Sequence, residues 1–265
     1  MKKRTEKGSV IVNGTETQYA RFGTGQRNLV IIPGVSLRNV LDSAEGIASA
    51  YSMFADDYTV WIFDRRMDMP EGYTVEGMAE DLADAMKAAG IRDAYVFGTS
   101  QGGMIAQYIA ARCPELVKKA VLGSTAARIT GEVRTVMARW AELARRRELR
   151  ELCADFADRI YSQEFLAKYR EFILEFGELA SQEEIERFRI MVEACVGYDI
   201  YAELDRISCP VLVIGDKDDK VLGGAASVEI AEKLGCELYM YDGYGHAVYD
   251  EAPDYKQRLM DFFSE

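Results

Sequence analysis

The chain has 265 residues, 49% of them hydrophobic and 29% charged, with a net charge of −12 near neutral pH. That length can bury one large core or two small ones, and the acidic balance argues against nucleic acid or an anionic membrane as partner. Five scattered cysteines (Cys113, Cys153, Cys195, Cys209, Cys236) form no CxxC or Cys/His cluster, which speaks against a metal site and against a disulfide framework.

The opening "MKKRTEKGSV" is basic but lacks the apolar stretch of a signal peptide. No apolar run approaches the ~20 residues that cross a bilayer, so the expected location is the cytoplasm. "SVIVNGTETQYARF" predicts two strands around an Asn13-Gly14 turn. "NLVIIPG" (28–34) and "YTVWIFD" (58–64) are continuous apolar runs, the pattern of strands buried on both faces. Val75 to Gly90 has helical period, with Met78, Leu82, Ala85 and Met86 on one face and Gly90 as its stop. A strand at 94–97, a helix over 102–112 and a strand at "KKAVLGS" (118–124) follow.

Residues 128–200 change texture. They are rich in helix formers, and Val133, Val136, Met137, Trp140, Leu143 and Ala144 repeat at helical spacing. The basic cluster Arg145, Arg146, Arg147 and Arg150 is interleaved with Glu142, Glu148 and Glu151, as on a solvated helix face. "CPVLVIGDKDD" (209–219) restores the buried-strand pattern. A helix near 224–234, a strand at 236–243 and a helix at 252–264 close the chain. The expected fold is α/β: a mostly parallel sheet of about eight strands with helices on both faces. Its core is residues 1–127 and 201–265, with the helical block 128–200 inserted.

One stretch carries chemistry. "AYVFGTSQGGMIAQYIA" runs from a strand straight into a helix through Gly98-Thr99-Ser100-Gln101-Gly102, the G-x-S-x-G corner that exposes a serine on a strained turn. A serine hydroxyl needs a base with a pKa near 7, and the chain has one histidine, His246, after the last strand.

The hairpin, "LVIIPG", "GTSQGG", "CPVLVIGDKDD" and "YGHAVYDEAP" together resemble the α/β-hydrolase superfamily across nearly the whole chain. The resemblance implies the order serine, acid, histidine, with Ser100 as nucleophile and His246 as base. Of Asp216, Asp218 and Asp219, the family's glycine-plus-three spacing from Gly215 selects Asp218 as acid and leaves the other two as solvated turn residues. A calcium loop at these aspartates lacks the length and the downstream Glu. The oxyanion donors would be the backbone N–H groups of Gln101 and Val35, although Pro33 stands where the family usually carries histidine. "FDRRMDMP" also departs, with Arg65, Arg66, Met67 and Asp68 in place of a glycine-rich turn.

The block 128–200 would be a cap over Ser100, its apolar stripe of Trp140, Phe156, Ile160, Phe172, Phe176 and Met191 mixing packing and pocket positions. Ser36, Met104 and Trp140 are candidate substrate contacts. The expectation is a serine hydrolase acting on small uncharged acyl compounds, carboxylic esters above all, with no cofactor and no metal. An aminopeptidase or C–C hydrolase using the same three residues remains open, and so does a ligand-binding receptor with little turnover. An aspartate-nucleophile dehalogenase does not fit Ser100.

Overall fold

A computed structural model describes residues 5–265. The first four residues of the basic opening stretch, and so part of the reading that it is no signal peptide, lie outside the described residues. Asn13 (φ 52°) and Gly14 (φ 81°) occupy the two left-handed positions of a hairpin turn. They join β1 (Glu6–Val12) to β2 (Thr15–Phe22). After β3 (Arg27–Ile32) comes a stretch the periodicity left unassigned, which holds the short helix α1 (Ala44–Ala50). Then follow β4 (Tyr58–Phe63), α2 (Val75–Ala88), β5 (Ala94–Thr99), α3 (Gln101–Arg112) and β6 (Val117–Gly123).

Between β6 and the next strand lie α4 (Gly131–Arg146), α5 (Leu149–Ile160), α6 (Gln163–Glu178) and α7 (Gln182–Val196). The chain ends with β7 (Val211–Asp216), α8 (Gly224–Leu234), β8 (Glu237–Tyr241), α9 (Val248–Glu251) and α10 (Tyr255–Ser264).

Among the described residues, eight strands form one sheet in the order β1-β2-β4-β3-β5-β6-β7-β8. β2 runs antiparallel to both its neighbours, and every pair from β4 to β8 is parallel. The continuous apolar runs follow from burial on both sides: successive side chains point to opposite faces, and both faces are covered. Val30, Val96 and Val213 pack with α2, α3 and α8 residues on one face. Leu29, Phe97 and Ile214 pack with Phe54, Leu259 and Phe263 on the other.

The four-helix excursion leaves and rejoins the sheet through a narrow neck. Ile200 N donates to Ala127 O (2.9 Å) and Ile129 N to Tyr198 O (3.1 Å), on either side of an Arg128–Asp199 bridge. Its arginine cluster is solvated and paired: Arg145 with Glu142 and Glu193, Arg150 with Glu171 and Glu178.

The central strand reaches its helix through a corner with no spare room. A Cβ on Gly98 would lie 2.5 Å from Gly102 O, and one on Gly102 only 2.0 Å from Ile32 O. The start of α3 therefore lies directly on the loop after β3. Crowding of this kind costs up to ~3 kcal/mol or more, so Gly102→Ala is expected to lower the thermal midpoint by several degrees. Gly46→Ala, in a helix with open space around it, is expected to raise it slightly. Calorimetry on both variants checks the contrast.

Candidate active site

Ser100 sits between the last residue of β5 and the first of α3 with φ 53° and ψ −124°. A side-chain-bearing residue held there carries strain of about 1–3 kcal/mol. Its backbone is pinned on both sides. Ser100 N donates to Gly123 O (2.9 Å), and Ser100 O accepts from Gly103 N (2.9 Å) and from Thr125 Oγ1 (2.7 Å). With the backbone fixed, the side chain is aimed at the C-terminal edge of the sheet. Gly34 approaches it so closely that a Cβ there would lie 3.0 Å from Ser100 Cβ.

His246 lies in the loop between β8 and α9, after Gly243 (φ 90°) and Gly245 (φ 75°). It is 2% exposed. The loop is tied to the excursion, since Ala247 N donates to Ile160 O at 2.9 Å. The carboxylate that meets the imidazole belongs to Asp219: His246 Nδ1 and Asp219 Oδ2 are 2.8 Å apart, with both side chains nearly inaccessible. The other oxygen, Asp219 Oδ1, accepts from Val221 N (2.8 Å) and Leu222 N (3.0 Å). Burial pushes the Asp219 pKa up, but the attraction of His246 and these hydrogen bonds outweigh it, and the net direction is down. An ionised carboxylate only accepts, which assigns the proton between the two groups to Nδ1.

The expectation for Asp218 is corrected by this geometry. β7 extends through Gly215 to Asp216, so the turn begins a residue later than a count from Gly215 assumes. Asp216 is fully buried, its oxygens accepting from Asp218 N (2.8 Å) and Tyr244 N (3.0 Å). That carries the Asp218 carboxylate outward to Gly243 N at 3.0 Å and turns Asp219 inward to His246. Neither Asp216 nor Asp219 is the solvated residue the sequence reading made it. The available signal was the apolar pair Val221-Leu222, out of place in a polar turn unless that turn folds against a core.

Ser100 and His246 line one small cavity, about 20 Å3, together with Gly34, Val35 and Met104. Val221 and Leu222, which hold Asp219, line it as well, and the excursion contributes Met137, Trp140, Phe156, Ile160 and Cys195. This space admits about one water. Two of the three substrate-contact candidates, Met104 and Trp140, are in its wall. Ser36 is not: its hydroxyl donates to Arg38 O at 2.8 Å in a local turn. Phe172 and Phe176 are exposed on α6, away from the cavity, and Met191 is buried in α7.

Val35 lines the cavity beside Ser100. Gln101 heads α3, where first-turn N–H groups have no upstream carbonyl to meet. Its side chain points away, Nε2 donating to Met191 O at 2.6 Å in α7. Among the described residues, no cluster of three or more His, Cys, Asp or Glu is placed to hold a metal ion, and no helix is long and apolar enough to cross a membrane.

A strained serine thus ends the central parallel strand, with a carboxylate-paired histidine in the same cavity. A family model described as alpha/beta hydrolase fold matches residues 34–253. The chain belongs to the alpha/beta hydrolase fold family.

Curated relatives include 3-oxoadipate enol-lactonase 2 of Acinetobacter baylyi, 28% identical over 81% of this chain and 80% of that protein. Serine hydrolase BPHL of Mus musculus is 25% identical over 96% of this chain and 84% of its own length. Among solved structures, an alpha/beta hydrolase enzyme from a Medee basin deep-sea metagenome library superposes with a TM-score of 0.88 at 20% identity. It covers 97% of this chain and 98% of its own. Fold, family and relatives together make the chain a hydrolase of the alpha/beta type.

The two neighbouring aspartates separate cleanly by experiment. If Asp219 holds the imidazole, Asp219→Asn lowers any Ser100-dependent hydrolysis by about 10⁴-fold through the wrong tautomer. Asp218→Asn, whose amide oxygen can still accept from Gly243 N, leaves the rate close to that of the unaltered chain. Steady-state rates on a p-nitrophenyl ester, with folding checked by circular dichroism, measure both.

Proposed function

We propose that this hydrolase cleaves carboxylic esters, lactones included, or related small acyl compounds through Ser100, His246 and Asp219. The observation that carries the reading is the buried His246–Asp219 pair opening onto the same cavity as Ser100. In the first half-reaction the Ser100 hydroxyl attacks the carbonyl carbon and His246 Nε2 takes its proton. The ionised Asp219 holds the imidazole in the Nδ1–H tautomer and stabilises the imidazolium. The tetrahedral oxyanion is met by the N–H groups of Val35 and Gln101, each such donor contributing ~3 kcal/mol. Collapse expels the alcohol, protonated by His246, and leaves an acyl-enzyme. Water, deprotonated by His246, then attacks the acyl carbon and releases the acid.

The core would comprise residues 1–127 and 201–265, with 128–200 acting as a cap over the serine. The wall the excursion contributes (Met137, Trp140, Phe156, Ile160, Cys195) is apolar and includes no carboxylate. That favours an uncharged acyl group and disfavours an aminopeptidase, which needs an acidic partner for the substrate amine. The name of the Acinetobacter relative, an enol-lactonase, supports a cyclic or linear ester as substrate class. Five free cysteines among the described residues accord with a cytoplasmic site of action.

The receptor reading draws on one observation, a resting cavity with room for about one water. In the hydrolytic reading the same observation means that side chains of the cap move aside for substrate. Labelling with a fluorophosphonate probe separates the two. The expected result is a single adduct mapped to Ser100 by peptide mass spectrometry, forming at least ~10²-fold more slowly in His246→Ala. Absence of an adduct on folded protein, or an adduct at another residue, contradicts the hydrolytic reading.

A further inference from the structure

Two departures from the family pattern, Pro33 and Arg65, meet in space. The side chain of Arg65 is 4% exposed, and its guanidinium reaches under the loop after β3. Nη1 donates to Gly34 O at 3.0 Å and Nη2 to Pro33 O at 2.5 Å. We propose that Arg65 is the positioning residue of the oxyanion loop, holding the Gly34–Val35 peptide so that the Val35 N–H faces the Ser100 cavity. The inference rests on the hydrolytic reading above, in which that N–H is an oxyanion donor.

The geometry follows from the peptide plane. Gly34 O and the Val35 N–H belong to one peptide unit, and the described residues include no cis peptide bond. In a planar trans unit the C=O and N–H point in opposite directions. Anchoring the oxygen on the Arg65 side therefore aims the N–H to the other side. Gly34, Val35 and Ser100 all border the cavity. The second donor fixes the preceding peptide in the same way through Pro33 O.

The planar fork of arginine suits this task, since two donors fixed in one plane meet two successive carbonyls. Its donors are free for the loop because Asp64 is engaged elsewhere. Asp64 Oδ1 accepts from Arg187 Nη2 (2.5 Å) and from Arg65 N (2.8 Å), and Oδ2 from Val40 N (3.0 Å). The Arg65 guanidinium stays 3.9 Å from that carboxylate. Two buried cations thus share one buried anion, leaving a net positive charge beneath the loop. Burial pushes the Arg65 pKa down to about 10, with Asp64 drawing it back up, so the charge persists at neutral pH. A charged donor on the carbonyl also polarises the peptide and strengthens its N–H as a donor.

The experiment begins with the unaltered chain and Ser100→Ala on a p-nitrophenyl ester. Hydrolysis that does not depend on Ser100 refutes the hydrolytic reading itself and takes this inference with it. With Ser100-dependent turnover in hand, Arg65→Met and Arg65→Lys are compared at equal numbers of active sites, counted by fluorophosphonate titration. Loss of loop positioning lowers kcat by about 10²-fold in Arg65→Met with KM unchanged, as for loss of an oxyanion donor. Arg65→Lys, which keeps the charge but cannot span both carbonyls, recovers part of that loss. A merely structural role would lower the number of active sites and leave kcat per site intact. Unchanged kcat per site in either folded variant, or a loss confined to KM, overturns the proposal. If Arg65→Met does not fold, Arg65→Lys alone decides. Failure of both to fold makes Arg65 a residue of the fold and likewise overturns the assignment.

Discussion

The close approach of two backbones, the start of α3 and the loop after β3, is the constraint on which the site depends. Gly102 lies where a Cβ would be 2.0 Å from Ile32 O, and Gly34 where one would be 3.0 Å from Ser100 Cβ. Interiors packed to crystal density do not yield such room by relaxation. With glycine at both positions the corner closes, Ser100 is driven to φ 53°, and its hydroxyl stands beside the peptide of Gly34 and Val35. Strain, the position of Ser100 and the position of the loop are then consequences of one contact. The sheet contributes rigidity: β5 is bonded to β3 on one side and β6 on the other, so the corner has no edge at which to relax.

Around this contact the chain buries charge in two groups, each arranged differently. Asp219 and His246 form a neutralisable pair whose carboxylate has every oxygen engaged. Asp64, Arg65 and Arg187 form a group with a surplus positive charge. Burying an ion without full compensation costs several kcal/mol, and such groups persist where the surrounding structure or the chemistry uses them. Arg187 comes from α7, and it donates to Asp64 and to Arg65 O. Gln101 likewise binds the Met191 carbonyl of α7. The excursion is thus joined to the core by side chains that reach the Ser100 corner and the turn after β4, not only by its neck.

Much of this was legible in the sequence, and for identifiable reasons. "NLVIIPG" and "VLVIGD" read as strands because a parallel sheet covered on both faces leaves no polar alternation. Ser100 stood out because G-x-S-x-G joined a strand pattern to a helix pattern, and His246 because the chain has no other histidine. The carboxylate that meets His246 is not the one the spacing selects, because Asp216, Asp218 and Asp219 differ in nothing but where the chain turns. That turn depends on the end of β7 and on Tyr244, whose N–H is claimed by Asp216 across the β8 loop. Phe172 and Phe176 fall in the stripe that mixes packing and pocket positions, yet are exposed, because helical spacing does not say which face a helix in an inserted block turns outward. The partnership of Arg65 with Pro33 and Gly34 spans more than 30 residues, and no local pattern carries it.

The central claim is that the Ser100 corner and the Gly34–Val35 loop form one preorganised site for an oxyanion. A crystal structure of the protein reacted with an alkyl phosphonate tests it most directly. The account predicts a bond from Ser100 Oγ to phosphorus and the phosphonyl oxygen within hydrogen-bond distance of both Val35 N and Gln101 N. His246 should remain on Asp219. A phosphonyl oxygen turned to solvent, or a His246 paired with another carboxylate, would contradict it.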